Sequence, residues 1–275
     1  MNKRKRMMYV ALACICFCTL LVAAQLAPEL PSSIDRSRAE LKPWEYPPFG
    51  TDLKGRPLGE YVTQGAKIIA LPSLFAGFLV ALFGAIGGLL QCLESPKINA
   101  AIQVASEVIG ALPRMVVILV AALLIPQDWR SLMPLAFIWA ILAAPGAMDE
   151  AGAVASRLGG ARFVEALRAH GYGVIRIYLY HIVFLNLRPV VVRQGAETMM
   201  TVAFLEVALS YLALIYDQSS FTHPDNLMSW ADLLKQGYLW LALDMNTGHL
   251  LALGVGLLAM IVLTATSIAK AAEAR

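Results

Sequence analysis

The side chains here that could do chemistry are charges set in or beside apolar sequence. Arg168, His170, Arg176, His181 and Arg188 fall in Glu165–Pro189, the longest polar, basic interruption between two strongly apolar halves. Glu165 suits the start of a short helix, where a negative charge meets the positive helix end. Gly171 ends or bends that helix, because glycine tolerates left-handed backbone angles. The spacing predicts a short helix on the cytoplasmic face and a second helix running back into a bilayer. The plainer reading is a basic loop that obeys the positive-inside rule.

Glu107, Pro113, Arg114 and Glu206 lie inside apolar runs. A charge at that depth is costly and faces a cavity or a partner. Arg114 reads as a pathway-lining cation, or as a snorkelling or ion-paired side chain. Glu206 reads as a gate or pathway residue, or as a carboxylic acid hydrogen-bonded to a neighbouring helix. Pro113 removes one backbone bond and kinks its helix. Upstream, Gly50-Thr51-Asp52-Leu53-Lys54-Gly55-Arg56 predicts a turn. Asp52 bonds the turn backbone and Gly55 supplies the permissive angle.

Other chemistries lack their residues. The sequence has no Gly-x-x-x-x-Gly-Lys-Ser/Thr phosphate loop, no His-Glu-x-x-His and no Gly-x-Ser-x-Gly elbow. His170, His181, His223 and His249 sit in different regions and suggest no metal site. Cys14, Cys16 and Cys18 alternate on one helix, about 200° apart from one to the next, so they do not converge on a metal. With Cys92 they imply no disulfide framework.

The elements that must position these residues are membrane helices. The chain has 275 residues, 59% hydrophobic and 15% charged, with a net charge of +3, and its mean hydropathy is +0.65. Its apolar runs approach the roughly 20 residues that span a bilayer and do not alternate as barrel strands do. Beyond the first six residues no basic patch suits nucleic acid. Six spans are expected: Met7–Ala27, Ala66–Leu93, Ala100–Ile125, Leu132–Met148, Pro189–Tyr216 and Gly248–Ile268. Gly84 and Gly88 allow close helix approach. Pro28–Gln64 and Asp217–Thr247 are read as external, and Leu227, Trp230, Leu233, Leu234 and Tyr238 form an amphipathic stripe within the second. Basic residues at the inner ends put both termini in the cytoplasm.

The polar interruption resembles the EAA loop of bacterial ABC-importer permeases, and most closely their oligopeptide/dipeptide/nickel branch. Phe163-Val164-Glu165-Ala166-Leu167-Arg168-Ala169-His170-Gly171 follows the first half of that pattern. Arg176-Ile177 and His181-Ile182 follow the second half at the same spacing. Glu206-Val207-Ala208-Leu209-Ser210 is similar to the family's EAALS stretch, and Gly50-Thr51-Asp52 to Arg56 is similar to its Gly-Thr-Asp-x-x-Gly-Arg signature. Glu107 and Pro113 fit its acidic residue and proline. The chain departs from the family at Val183-Phe184-Leu185, where Leu-Pro-Asn is usual, and at Asp149 and Glu150, where a basic turn is usual. It departs again at Pro57, where the signature ends in Asp, and it lacks the Asp-Pro-Arg tail.

The resemblance implies an all-α, six-helix type I importer permease of the bacterial inner membrane. Residues 1–64 would be an anchor span and external loop, and 65–275 the permease core with a coupling loop at 151–188. It implies alternating access for a small solute, most often short peptides. The partners would be a second homologous permease, two ATPase subunits and an external solute-binding protein. ATP and Mg would belong to the ATPases, with no cofactor, metal or enzymatic activity in this chain. Glu165, Ala166, Leu167, Arg168, Gly171, Arg176 and His181 would couple to the ATPases. Glu107, Pro113, Arg114 and Glu206 would line the path, and Gly50, Asp52, Gly55 and Arg56 would form the external motif. The departures leave a second expectation, a membrane scaffold or sensor that keeps the permease fold without transporting.

Overall fold

The computed structural model describes residues 3–28, 32–91, 96–126, 129–159, 162–215, 228–242 and 248–273. Cys92, His223, Glu94 and Ser95 of the turn before Asn99, and the first part of the second external segment (217–227) lie outside them. The described residues are helical almost throughout. The helices are α1 Lys3–Gln25, α2 Leu58–Gly65, α3 Leu71–Gln91, α4 Pro96–Gly110, α5 Arg114–Leu124, α6 Leu132–Gly159, α7 Arg162–Ala169, α8 Arg188–Ile215, α9 Trp230–Ala242 and α10 Gly248–Glu273. Two π-helical segments, Ala66–Ala70 and Arg176–Leu187, join α2 to α3 and lead into α8.

Five helical stretches are long and apolar enough to cross a membrane, and α4 with α5 forms a sixth, bent by 75°. The helix directions favour a crossing by the bent pair over a re-entrant turn. Glycines mark where α3 and α6 touch: Gly84 faces Ala147, Gly87 faces Met148, Gly88 faces Ala151, and Gly152 faces Gln91. Both numbers rise together, so α3 and α6 run parallel. The chain between them must therefore return across the bilayer. Gly77 meets Gly195, Gly84 meets Val191 and Gly88 meets Leu187, so α8 runs antiparallel to α3. Thr19 reaches Met260 and Lys270 lies over Tyr9, so α1 and α10 are antiparallel and the chain's two ends share one side.

Several expected boundaries move. The second span begins at Leu58, inside the stretch read as loop, and its helical run is 34 residues long. At 1.5 Å per residue that is about 51 Å, well beyond a hydrocarbon core of about 30 Å. Glu60, Thr63 and Gln64 mark the end that protrudes. The fourth span continues past Met148 to Gly159, because its Ala-rich extension favours helix. The third is a broken helix, not a kinked one. Gly110 ends α4, and Leu112 is pushed out of helical geometry by the proline that follows it. Pro113, at φ −69° and ψ 99°, then caps the start of α5. Arg114 is the first residue of α5 and is exposed, so it is not deep inside a continuous apolar helix.

The core lies in three clusters. One centres on Ile69, Met199, Trp230 and Ile261, joining α1, α2, the first π-helical segment, α8, α9 and α10. The second centres on Val80, Ile118, Trp139 and Leu205, joining α3, α5, α6 and α8. The third, around Ala151, Ile182 and Leu187, packs the π-helical segment against the far end of α6.

A labelling experiment checks the sidedness. A cysteine at Ser37 should react with an impermeant reagent in intact cells, and one at Gly159 should react only after permeabilisation. Reaction of Gly159→Cys in intact cells would reverse the orientation.

Candidate functional site

The turn at 50–56 is built around one buried carboxylate. Asp52 is fully buried. Its Oδ1 accepts the backbone N–H groups of Lys54 (2.8 Å) and Arg56 (2.7 Å), and its Oδ2 accepts the Tyr61 hydroxyl at 2.7 Å. Gly50 and Gly55 have φ of 91° and 76°. A Cβ on either would strike backbone of the Asp35–Pro43 stretch, so these positions need glycine for space as well as angle. In that stretch, bonds from the Ser37 hydroxyl and N–H hold the Asp35 carboxyl below the usual carboxylate range.

The turn is tied to residues 228–236 through α2. Gln236 donates to the Tyr61 hydroxyl at 3.2 Å, Gln64 accepts the Met228 N–H at 3.1 Å, and the Trp230 indole donates to the Val62 carbonyl at 3.2 Å. Ser229 and Asp232 exchange bonds across the first turn of α9, a capping box with Asp in the usual Glu place. Of the amphipathic stripe, Trp230 packs on Gly65 at the protruding end of α2, while Leu233 and Leu234 face Gly254 of α10 and Tyr238 is exposed; Leu227 lies outside the described residues. Tyr61→Phe removes both bonds of that hydroxyl, to Asp52 and from Gln236, a loss of about 1–3 kcal/mol. Proteolysis of right-side-out vesicles should cut this variant in the external segments faster than the parent, with the spans intact.

At the opposite side, the residues of the polar interruption come together. Glu165 lies in the first turn of α7, which begins at Arg162, not at Glu165 itself. Gly171 has φ +78°. The Tyr172 N–H reaches the Leu167 carbonyl (3.1 Å) and the Gly171 N–H reaches that of Arg168 (2.9 Å). This is a Schellman closure with a left-handed glycine. Arg168 donates to the Tyr178 hydroxyl at 3.2 Å, Arg176 sits 4.9 Å over the Tyr172 ring, and Tyr172 meets His181 edge to face at 5.5 Å. Arg176 and His181 lie on the π-helical segment, the second helix expected after Gly171. That segment continues unbroken into α8, so α7 is linked by side chains to the base of a spanning helix. Glu165, Ala166, Arg168 and His170 are exposed.

The residues expected along a path do not share one place. Glu107 is exposed on α4 and accepts from Gln103 at 3.0 Å. Pro113 and Arg114 lie exposed at the break. Glu206 is fully buried in α8 and accepts the Ser210 hydroxyl at 3.0 Å.

A polar group that sequence reasoning missed lies between α6 and α8. Glu150 takes Arg193 on one oxygen and Gln194 on the other, and Arg193 also lies 3.8 Å from Glu197. Arg193, Glu197, Thr201, Phe204 and Ala208 follow one another up the accessible face of α8. The visible signal was Arg193 and Glu197, four apart inside an apolar run, with acidic Glu150 where the resembled family has basic residues. Among the described residues, no group of three His, Cys, Asp or Glu side chains could hold a metal.

No protein-family model matches the chain, and no curated protein matches it in sequence.

Proposed function

We propose that this chain is the transmembrane permease subunit of an ATP-driven ABC importer of the oligopeptide/dipeptide/nickel type, carrying a small solute, foremost short peptides, across the bacterial inner membrane. The observation that carries the reading is α7. It is a short exposed helix, closed by a left-handed Gly171 and joined through Arg168–Tyr178 and Tyr172–His181 to the base of α8. Such a helix can seat in a groove of a partner and pass its motion to a span. ATP binding would close two cytoplasmic ATPases, α7 would move with them, and the spans would rearrange from one access state to the other. ATP and Mg belong to those subunits. A second homologous permease and an external solute-binding protein complete the assembly.

The polar start of the accessible face of α8, Arg193, Glu197 and Thr201, supports this reading. A helix face with paired charges is unsuited to lipid and suits a water-filled space or a partner helix. The external turn, held by Asp52 and Tyr61, offers a rigid surface to the solute-binding protein.

The experiment is co-purification with the proposed ATPase subunits, followed by uptake in liposomes. The complex and ATP-dependent uptake should both be lost when residues 165–171 are replaced by a Gly/Ser linker. A complex that survives that replacement unchanged would remove the coupling role. A stable complex without uptake in the parent protein would favour the scaffold or sensor.

A further inference from the structure

A wedge-shaped cavity of about 530 Å³ opens between α1, α3, α8 and the end of α10. Its lining includes Phe17 and Leu21 of α1, Phe78 of α3, Val192 and Met199 of α8, and Ile268 of α10. Almost nothing polar reaches it. Gly77 and Gly195 form part of its wall, where the α3 and α8 backbones meet. Phe17, Phe75 and Phe78 stand partly exposed at the opening. A void of this size on the bilayer side of a helix bundle forfeits dispersion contacts all along its walls unless something apolar enters.

The charges around it select what enters. Ile268 lies two residues from Lys270, whose ammonium sits 5.3 Å over the Tyr9 ring of α1. Lys5 is one turn further toward the start of α1 and is exposed. Arg188 lies one turn from Val192 on the same face of α8, its guanidinium 5.8 Å over the Phe184 ring. By register along their helices, these three cations lie beyond Ile268 and Val192, toward the end of the cavity at which α1 begins. Glu273, one turn past Lys270, is the acidic residue at that end of α10. We infer that the cavity holds one acyl chain of an anionic phospholipid from the leaflet in which α1 begins, its phosphate headgroup set among Lys5, Arg188 and Lys270. The inference goes beyond the transport reading and needs only the helix arrangement.

The bound lipid would fill the gap between the α1–α10 pair and the α3–α8 pair. It would couple the position of α1 to the lipid composition of that leaflet, since juxtamembrane cations respond to anionic headgroups.

Native mass spectrometry of the full chain, released from nanodiscs holding equal dioleoyl phosphatidylglycerol and dioleoyl phosphatidylcholine, tests this. One phosphatidylglycerol per chain should survive stepwise delipidation, preferred about tenfold over phosphatidylcholine. Lys5→Gln, Arg188→Gln and Lys270→Gln together should bring that preference close to one. Leu21→Trp, which fills the cavity from the α1 side, should abolish retention. The parent protein alone can overturn the inference: no retained phospholipid, or equal retention of the two headgroups, sinks it. A second copy of the chain that holds this face against added lipid sinks it too, as does Leu21→Trp retaining lipid like the parent.

Discussion

Gly171→Val should leave the protein inserted and abundant while separating ATP hydrolysis from solute uptake. The backbone there sits at φ +78°. For an L residue the left-handed region costs about 1–2 kcal/mol, and a β-branched side chain fits it worst. Nothing lies within 4 Å of a Cβ built at Gly171, so the cost is conformational and not a clash. The backbone can escape the cost only by leaving the left-handed region. That breaks the Tyr172–Leu167 and Gly171–Arg168 bonds and redirects Tyr172, which carries the contacts to Arg176 and His181. A six-span bundle survives 1–2 kcal/mol at an exposed turn, but a lever does not survive being aimed elsewhere. Glu165→Ala should be milder, since a charge at an exposed helix start contributes about 0.5–1 kcal/mol. Uptake and ATPase rate are measured on the same reconstituted complex, with membrane abundance as control. Full uptake by Gly171→Val would show that α7 is not the coupling element.

The difference between these two substitutions reflects what a sequence makes legible. Gly171 stood out because it follows a helix-favouring run, and the only cheap conformation for ending it there is left-handed. Asp52 and Gly55 stood out for the same local reason: a turn of seven residues carries its own geometry. The apolar runs announced helices at membrane length, since hydropathy over about 20 residues is a sum that few local details can disturb. Their ends were less legible. Whether a helix stops at the membrane surface or stands out into water depends on what covers it. Leu58 begins a helix because α9 packs on that protruding end, with Trp230 against Gly65 and Val62. The two segments are far apart in sequence, and neither signals the other. The Glu150–Arg193–Gln194 group was hidden for the same reason, because its members meet only once α6 and α8 are placed side by side. Arg114 misled in the opposite direction. It sits in an unbroken apolar string, but the break at Pro113 turns that string into two helices and leaves the arginine exposed at an end.

Gly77→Ala should destabilise the protein more than Gly84→Ala or Gly256→Ala, because α3 and α8 touch at Gly77 backbone to backbone. A Cβ on Gly77 would lie 2.6 Å from the Gly195 carbonyl oxygen, and a Cβ on Gly195 would lie 2.6 Å from that of Gly77. A flexible side chain could swing aside, but a helix carbonyl cannot, so the two helices must separate along their shared length. Overpacking of this kind costs about 1–3 kcal/mol, and a rigid obstacle places it at the upper end. Gly84→Ala meets Val191 at 3.3 Å and the Ala147 carbonyl at 3.4 Å, which a few tenths of an ångström of movement relieve. Gly256→Ala meets nothing within 4 Å and gains helix propensity of up to about 1 kcal/mol. The three variants should therefore rank in thermal stability as Gly256→Ala at or above the parent, Gly84→Ala slightly below it, and Gly77→Ala well below. The measurement is the melting temperature of detergent-solubilised protein, followed by size-exclusion chromatography after heating. If Gly77→Ala melts with Gly256→Ala, then α3 and α8 do not cross at Gly77 and Gly195. The antiparallel pairing that places Arg193 on the accessible face of α8 would then lose its anchor.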